Sequence, residues 1–183
     1  MNHSFKTVLA NGLRNIGQGL KTRPRRGLGV CLAAAAVFAV CAALIGQHGR
    51  LFEFDVLDLR EAWFLPFTML VFPSLLEEAF FRGLLIPRST ELKASRSSLT
   101  IILFSSLLFT LWHPFNALLI NAGAREFFYN IHFLAIVFLL GITCAISYLA
   151  SRSLWIPILI HWITILVWVF FLGGRNLAAQ ALH

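Results

Sequence analysis

Ionisable residues occur in this chain within stretches that are otherwise apolar. Glu77, Glu78 and Arg82 fall in one such stretch, and His113, His132 and His161 fall in three others. An ionisable side chain in the middle of a bilayer costs about 3 kcal/mol on insertion scales, so each of these residues is a functional candidate. A carboxylate held in such surroundings can take a proton from water as a general base.

Spacing separates the two adjacent glutamates. Neighbouring residues on a helix point about 100° apart, so Glu77 and Glu78 do not share one role. Glu78 and Arg82 have the i, i+4 spacing of a helical ion pair. That pairing leaves Glu77 to face the bundle interior as an unpaired carboxylate. The competing hypothesis places both glutamates at the membrane boundary beside Arg82, although apolar residues continue after that arginine.

The three histidines differ in context. His113 lies in FTLWHP, and Pro114 disfavours helical geometry at the residue before it, which predicts a helix break facing a polar cavity. His161 lies well inside a later apolar run. A lone histidine in a membrane helix often only forms a hydrogen bond between helices. Two such histidines together with a Glu-Glu-x-x-x-Arg run favour a functional site. His132 is interpreted as a packing or interface residue.

Five apolar runs must position these side chains. They cover about residues 27–46, 62–86, 99–120, 127–150 and 154–172. The chain is 58% hydrophobic and only 13% charged, against about a quarter charged in soluble domains. A membrane helix needs about 20 mostly apolar residues, and the runs show no alternation typical of a barrel. The sequence therefore predicts an all-α transmembrane bundle of about five spans over residues 27–172.

The ends of the chain are predicted to lie outside this bundle. Residues 1–26 are basic, and their apolar residues form one helical stripe, which favours a helix on an anionic membrane surface over a frayed basic tail. The stripe contains Phe5, Val8, Leu9, Leu13, Ile16 and Leu20. The first run is too long for a signal peptide and is expected to be retained. Residues 173–183 form a short tail.

Basic residues predict the orientation. Of the 15 Lys and Arg residues, Arg50, Arg60, Arg125 and Arg175 lie in outer segments if the N-terminus is cytoplasmic, and the other eleven lie in inner segments. This positive-inside bias places the N-terminus in the cytoplasm and the C-terminus outside. The net charge of +7 therefore suggests lipid contact and no nucleic-acid partner. Cys31, Cys41 and Cys144 are expected to be small core residues.

Three motifs in order carry a family resemblance. EEAFFR at 77–82, FTLWH at 109–113 and GITCAISYLASRSLWIPILIH at 141–161 resemble the motifs of the CPBP family. This family groups CAAX-type proteases with bacteriocin-processing or immunity proteins, and is also called the ABI family. The resemblance covers about residues 62–172 and extends loosely to small myxosortase-like members. It implies an intramembrane glutamic endopeptidase, expected in a bacterial inner membrane.

The resemblance also implies roles for individual residues. Glu77 would activate water together with His113, and His161 would stabilise the oxyanion. The residues given supporting roles are Glu78, Arg82, Phe109 and Thr164. The family often has an asparagine four residues after the late histidine, where this chain has Ile165. Thr164 is a substitute one residue earlier, and Asn116 is polar and close to His113, so the second oxyanion donor stays open.

The sequence predicts the cofactor and the substrate in less detail than the site residues. A metal-free mechanism is favoured, although Glu77, His113 and His161 also form a zinc set by ligand type. The chain has no His-Glu-x-x-His run. The expected substrate is a membrane-anchored protein or lipidated peptide, cut near a C-terminal segment.

Two other function classes compete with a protease. A catalytically silent member of the same fold could act as a membrane immunity factor or scaffold, and Ile165 is the main argument for it. A small transporter or proton relay usually shows inverted repeats, and none is found in the sequence.

The depths of the candidate residues in the membrane do not agree. Ideal helices place Glu77 about 13 Å and His113 about 20 Å from the inner ends of their runs, which is a mismatch for one site.

Overall fold

Helices form nearly all of the regular structure in the computed structural model, which describes residues 2–57, 62–90, 92, 95–120 and 122–174, with side chains from residue 10 onward. The α-helices are α1 (Asn2–Lys21), α2 (Leu28–His48), α3 (Leu65–Met69), α4 (Leu76–Glu78), α5 (Arg96–Leu119), α6 (Arg125–Phe128), α7 (Ile131–Ser151) and α8 (Trp155–Phe171). Residues Leu70–Leu75 and Ala79–Leu84 form π-helical turns, and Ala122–Ala124 form a 3₁₀ turn. The predicted all-α fold is confirmed. The predicted tail beyond residue 174 lies outside the described residues.

Each predicted apolar run contains a helix or helical segment. By length and composition, α2, α5 and α7 can cross a membrane, and α8 is a shorter apolar helix of 17 residues. Large apolar side chains lie exposed along α2, as Leu32, Val37 and Leu44 show. Exposed apolar faces of this extent are rare on soluble monomers, and lipid is the solvent that accommodates them.

The second run forms a broken helix (residues 65–84) instead of one continuous helix. Phe72 has non-helical dihedral angles, φ −129° and ψ 110°, immediately before Pro73. Proline disfavours helical geometry at the preceding residue, which explains the position of the kink. Two π-helical turns then flank the three-residue helix α4, which carries both glutamates. Irregular backbone at membrane depth is tolerated where it lines a cavity, and Phe72 and Pro73 do so.

Helix α7 is the centre of the bundle and packs against α2, α5 and α8. Two glycines permit close helix approach. A Cβ on Gly141 would lie 3.0 Å from the Cβ of Ser106 on α5, and one on Gly27 would lie 2.6 Å from the carbonyl oxygen of Ala150. Gly27 also has a positive φ of 65°, which favours glycine at the start of α2.

The N-terminal helix α1 packs on protein at one end of the bundle. Its buried positions Gly12 and Gly19 face Leu84 and Leu154, and Ile16 packs over Gly83 of the broken helix. The Leu154 amide donates to the Gly19 carbonyl at 3.0 Å, which ties α1 to the start of α8.

The predicted helix in residues 1–26 is therefore present, but its inner residues pack on protein. Ile16 and Leu20 join the buried core, whereas Leu13 remains 59% exposed. The side chains of Phe5, Lys6, Val8 and Leu9 lie outside the described ones. The helix packs on protein, where the sequence predicted a membrane surface, because the turns at residues 79–84 and 152–154 offer an apolar surface that α1 covers.

Candidate active site

The predicted ion pair between Glu78 and Arg82 is present and completely buried. Arg82 Nε lies 3.1 Å from Glu78 Oε2, and both side chains have 0% exposure. Arg82 Nη2 also donates to the Gly141 carbonyl at 3.0 Å. Its guanidinium lies 4.4 Å from the centre of the Phe109 ring, a distance suited to a cation–π contact. One arginine thus connects the broken helix to α5 and α7.

His161 contacts both glutamates. Its Nδ1 donates to Glu78 Oε1 at 3.0 Å, and its Nε2 lies 3.9 Å from Glu77 Oε2. An ionised carboxylate only accepts hydrogen bonds, so the Glu78 contact requires the hydrogen on Nδ1. Glu78 therefore orients the imidazole of His161, and Nε2 is the nitrogen that faces Glu77.

Glu77 has a partner that the sequence did not reveal. Trp112 Nε1 donates to Glu77 Oε1 at 3.0 Å, so the carboxylate is not unpaired as the sequence predicted. Its second oxygen, Oε2, is buried and accepts no hydrogen bond within the described part of the chain. Trp112 is a donor-only side chain next to His113, and that proximity was the only available signal. The hydrogen bond orients one oxygen of Glu77 and leaves the other available.

His113 lies on a continuous helix. The predicted break is wrong, because α5 runs from Arg96 to Leu119 with Pro114 inside it. Membrane helices tolerate proline when neighbouring groups satisfy the freed backbone. His113 Nδ1 donates to the Phe109 carbonyl at 3.0 Å, and a carbonyl can only accept. In the neutral ring, Nε2 is then the nitrogen that can accept a proton.

Phe109 separates and aligns the two histidines. It is 0% exposed, and its ring centre lies 5.1 Å from that of His113 and 5.5 Å from that of His161, both in edge-on geometry. The same ring packs against Arg82. Phe109 therefore holds both imidazoles and the guanidinium around one apolar surface.

A cavity of about 560 Å³ brings the predicted catalytic residues together. The polar side chains that line it belong to Glu77, Trp112, His113, Asn116, His161, Thr164 and Trp168. Most of the remaining lining is apolar and comes from α2, α7 and α8, including several alanines of α2. The carboxylate and the two imidazoles thus meet in a largely apolar chamber, despite their mismatch in depth along ideal helices.

Three residues near the histidines bear on the open oxyanion donor. Ile165 lines the cavity and has no polar atom in its side chain. The Thr164 hydroxyl donates its single hydrogen to the Ile160 carbonyl at 2.8 Å. The side-chain oxygen of Asn116 is buried and has no hydrogen-bond partner within residues 95–120 or the other described ranges.

The donor arrangement does not fit a zinc ion bound by Glu77, His113 and His161. Such a site needs three donors that converge on one point. Among the residues that the structure describes, no group of three His, Cys, Asp or Glu side chains is placed to hold a metal ion.

His132 and two of the three cysteines pack as predicted, whereas Cys41 is only partly buried. His132 lies against Gly49, with its ring centre 5.6 Å from that of His48, and it does not line the cavity. All three cysteines are free thiols. Ser105 donates to the Phe81 carbonyl at 2.8 Å, which joins α5 to the broken helix.

Comparison with known proteins decides the family. The family model described as type II CAAX prenyl endopeptidase Rce1-like matches residues 59–173. The chain belongs to this Rce1-like family. The matched range contains the broken helix and helices α5, α7 and α8, and hence every residue of the cavity's polar group. No curated protein and no solved structure was found to match.

Family membership confirms the resemblance seen in the motifs. The Rce1-like family consists of CAAX-type intramembrane endopeptidases, and its substrates are membrane-anchored prenylated proteins. With the apolar helices, it identifies the chain as an integral membrane protein.

Proposed function

We propose that this Rce1-like chain is a metal-free endopeptidase that hydrolyses a peptide bond close to a membrane-anchored C-terminal segment. The observation that carries the proposal is the shared cavity, in which Glu77, His113 and His161 meet. The available oxygen of Glu77 lies 3.9 Å from Nε2 of His161, so one reacting group beside the two atoms can reach hydrogen-bond distance of both.

Glu77 and His113 activate the water. Glu77 Oε2 accepts a hydrogen bond from the water, while Trp112 holds the other carboxylate oxygen at 3.0 Å. His113 shares the water through Nε2, because its Nδ1 is committed to the Phe109 carbonyl. As the water oxygen bonds to the scissile carbonyl carbon, its proton passes to Glu77.

His161 stabilises the negative oxygen that develops on the scissile carbonyl. Its Nδ1 hydrogen is used by Glu78, so donation to the oxyanion requires a second hydrogen on Nε2. The step therefore uses the imidazolium form of His161, with Glu78 and Arg82 holding the ring. Removing one oxyanion donor typically costs about 10²–10³ in kcat.

Collapse of the tetrahedral intermediate completes the reaction. The carbon–nitrogen bond breaks, and the proton held by Glu77 passes to the leaving nitrogen. The products are a new C-terminal carboxylate and a released peptide with a free amino end. Glu77 returns to its ionised form without an added co-reactant.

The expected substrate carries an apolar anchor beside the cleaved bond. The cavity lining is mostly apolar, and the polar groups are concentrated around Glu77. A lipidated or helical anchor could occupy the apolar part while the adjacent peptide bond reaches the carboxylate. The distribution of basic residues favours a cytoplasmic N-terminus and a C-terminus outside, and the membrane proposed is the bacterial inner membrane.

The test compares protein C-termini in native membranes that contain wild-type protein or Glu77→Gln at equal abundance. Glutamine keeps the size and the Trp112 contact but cannot act as a general base. Glu126→Gln is a matched control, because Glu126 is an exposed residue of α6. We expect shortened C-termini in wild type and Glu126→Gln that are missing in Glu77→Gln.

The opposite result would change the proposed function. Unchanged C-termini in all three strains, with the Glu77→Gln protein folded and present, would remove the protease hypothesis. The chain would then be interpreted as a silent scaffold or immunity factor, and Ile165 in the cavity would be the structural argument. Partner capture by wild type and Glu77→Gln alike would support that alternative.

A further inference from the structure

We infer that Asn116 is the second oxyanion donor of this site, and that its side-chain amide acts beside His161. The inference rests on the proposed endopeptidase function. Sequence motifs do not single out Asn116, and its role follows from where the bundle places it.

Asn116 lies on the same face of α5 as His113. It follows the histidine by three residues, so the two side chains project to one side of the helix. Both line the cavity that contains Glu77 and His161. Asn116 is therefore a polar group of the chamber itself and not of the outer surface.

The state of the amide suggests a missing partner. The side-chain oxygen of Asn116 is buried and unpaired within the described residues. A buried polar atom without a hydrogen bond is unusual in native proteins. An asparagine amide has two N–H donors as well as its oxygen, and the two ends exchange by rotation of the amide. A bound peptide carbonyl is a chemically suitable partner for this group.

Other donors in the cavity are committed or distant. The Trp112 N–H donates to Glu77, and the Thr164 hydroxyl donates to Ile160. Trp168 also lines the cavity, but it follows His161 by seven residues, or about 10 Å along the helix axis. Among the described lining residues, Asn116 is the neutral donor that stays available near the histidines.

The direction of the helices places Asn116 at the right level. Helix α5 runs antiparallel to α7, since Ile102 belongs to the core cluster of Ala145 and Phe109 belongs to that of Leu140. Helix α8 also runs antiparallel to α7, since Cys144 contacts Pro157 and Phe133 contacts Trp168, so α5 and α8 run the same way. Asn116 lies about 4.5 Å beyond His113 along α5, and Ile165 lies about 6 Å beyond His161 along α8. An amide at either position approaches the scissile carbonyl from the same side of the histidine pair.

The chemical role needs no proton transfer. The Asn116 N–H donates one hydrogen bond to the oxyanion, and His161 donates the other. This bond strengthens as negative charge develops, so it acts on kcat more than on KM. Loss of the amide is expected to slow cleavage about 100-fold.

The experiment measures the rate at which Glu77-dependent C-termini appear in native membranes after induction of each variant. Asn116→Ala removes the donor, and Asn116→Asp keeps the size but replaces the amide with an acceptor. Asn15→Ala on α1 is the matched control for an asparagine substitution. The decisive variant is Asn116→Ala combined with Ile165→Asn, which returns an amide from the opposite helix. Thermal unfolding in detergent establishes that each variant is folded.

The expected result is a loss of about 100-fold in Asn116→Ala and Asn116→Asp, with at least a 10-fold recovery in the double variant. Cleavage by Asn116→Ala at the wild-type rate would overturn the inference and leave the proposed function intact. A loss that Ile165→Asn does not restore would also overturn it, since the role would then be structural. If no C-terminus depends on Glu77 at all, the proposed function fails and the inference fails with it.

Discussion

Replacing Arg82 with methionine is expected to destabilise the folded protein by about 3–5 kcal/mol. Methionine matches much of the arginine's length but carries no charge and no donor. The substitution leaves Glu78 buried, with 0% exposure, and removes the guanidinium that compensates its charge. The prediction concerns stability alone and does not depend on the proposed catalytic roles.

The expected loss of stability follows from three contacts that the substitution removes at the same time. The ion pair with Glu78 at 3.1 Å, the donation to the Gly141 carbonyl at 3.0 Å and the ring contact with Phe109 at 4.4 Å all require the guanidinium. A hydrogen bond to a charged group contributes about 1.5–3 kcal/mol, and a desolvated cation–π contact contributes about 2 kcal/mol. These contributions are not additive, so the measured cost of breaking a buried pair, about 3–5 kcal/mol, is the better figure.

The assay is reversible unfolding in mixed detergent and SDS micelles, followed by tryptophan fluorescence, for a double-mutant cycle. The variants are Glu78→Gln, Arg82→Met and the combination. We expect Glu78→Gln to cost clearly less in the Arg82→Met background than in wild type, because the uncompensated carboxylate is then removed. A coupling free energy of about 2 kcal/mol or more is anticipated for a completely buried ion pair at 3.1 Å. Arg82→Lys, which keeps the charge but not the planar fork, should fall between wild type and Arg82→Met.

Two results would refute this reasoning. If Arg82→Met unfolds within about 1 kcal/mol of wild type, the guanidinium does not hold the helices together. If the two substitutions are simply additive, then Glu78 and Arg82 do not stabilise each other, whatever their distance in the structure.

Two further predictions concern Glu77 and helix α1. Trp112→Phe removes the hydrogen bond to Glu77, worth about 1.5–3 kcal/mol, and should slow Glu77-dependent cleavage about 10- to 100-fold. Trp155→Phe, at the end of the bundle, is the control and should leave the cleavage rate unchanged. Equal rates in the two variants would mean that other contacts orient the Glu77 carboxylate. On α1, Gly17→Ala should stabilise the protein by about 0.5–1 kcal/mol in thermal unfolding, because the added Cβ meets open space. Gly12→Ala should destabilise it by about 1 kcal/mol, because the added Cβ would overlap the broken helix. Equal stabilisation by both would contradict the docking of α1.

Local features of the fold were predictable because they depend on residues close together in the chain. The apolar runs predicted five segments, and helices α2 to α8 lie within or close to them. Spacing of four residues predicted the buried Glu78–Arg82 pair, since helix geometry alone brings these side chains together.

Proline positions alone did not predict where the helices break. Pro114 was expected to break its helix at His113, but α5 continues through it. The kink occurs instead at Phe72, immediately before Pro73, where the apolar run predicted a continuous helix. Both prolines disfavour the same local geometry, so the choice between a kink and a continuous helix depended on the neighbouring helices.

The sequence by itself determined the solvent, the helices and the residue types of the site. Ionisable groups are costly in lipid, which made Glu77, His113 and His161 candidates together with Glu78, Arg82 and His132, and the family resemblance then singled out the first three. Only the tertiary structure decided their pairing: His161 bonds to Glu78, 83 residues away, and Trp112 bonds to Glu77, 35 residues away. Such contacts depend on the tilt and level of separate helices, which no spacing along the chain encodes. The same packing gathered the three candidates around one cavity and placed α1 on protein.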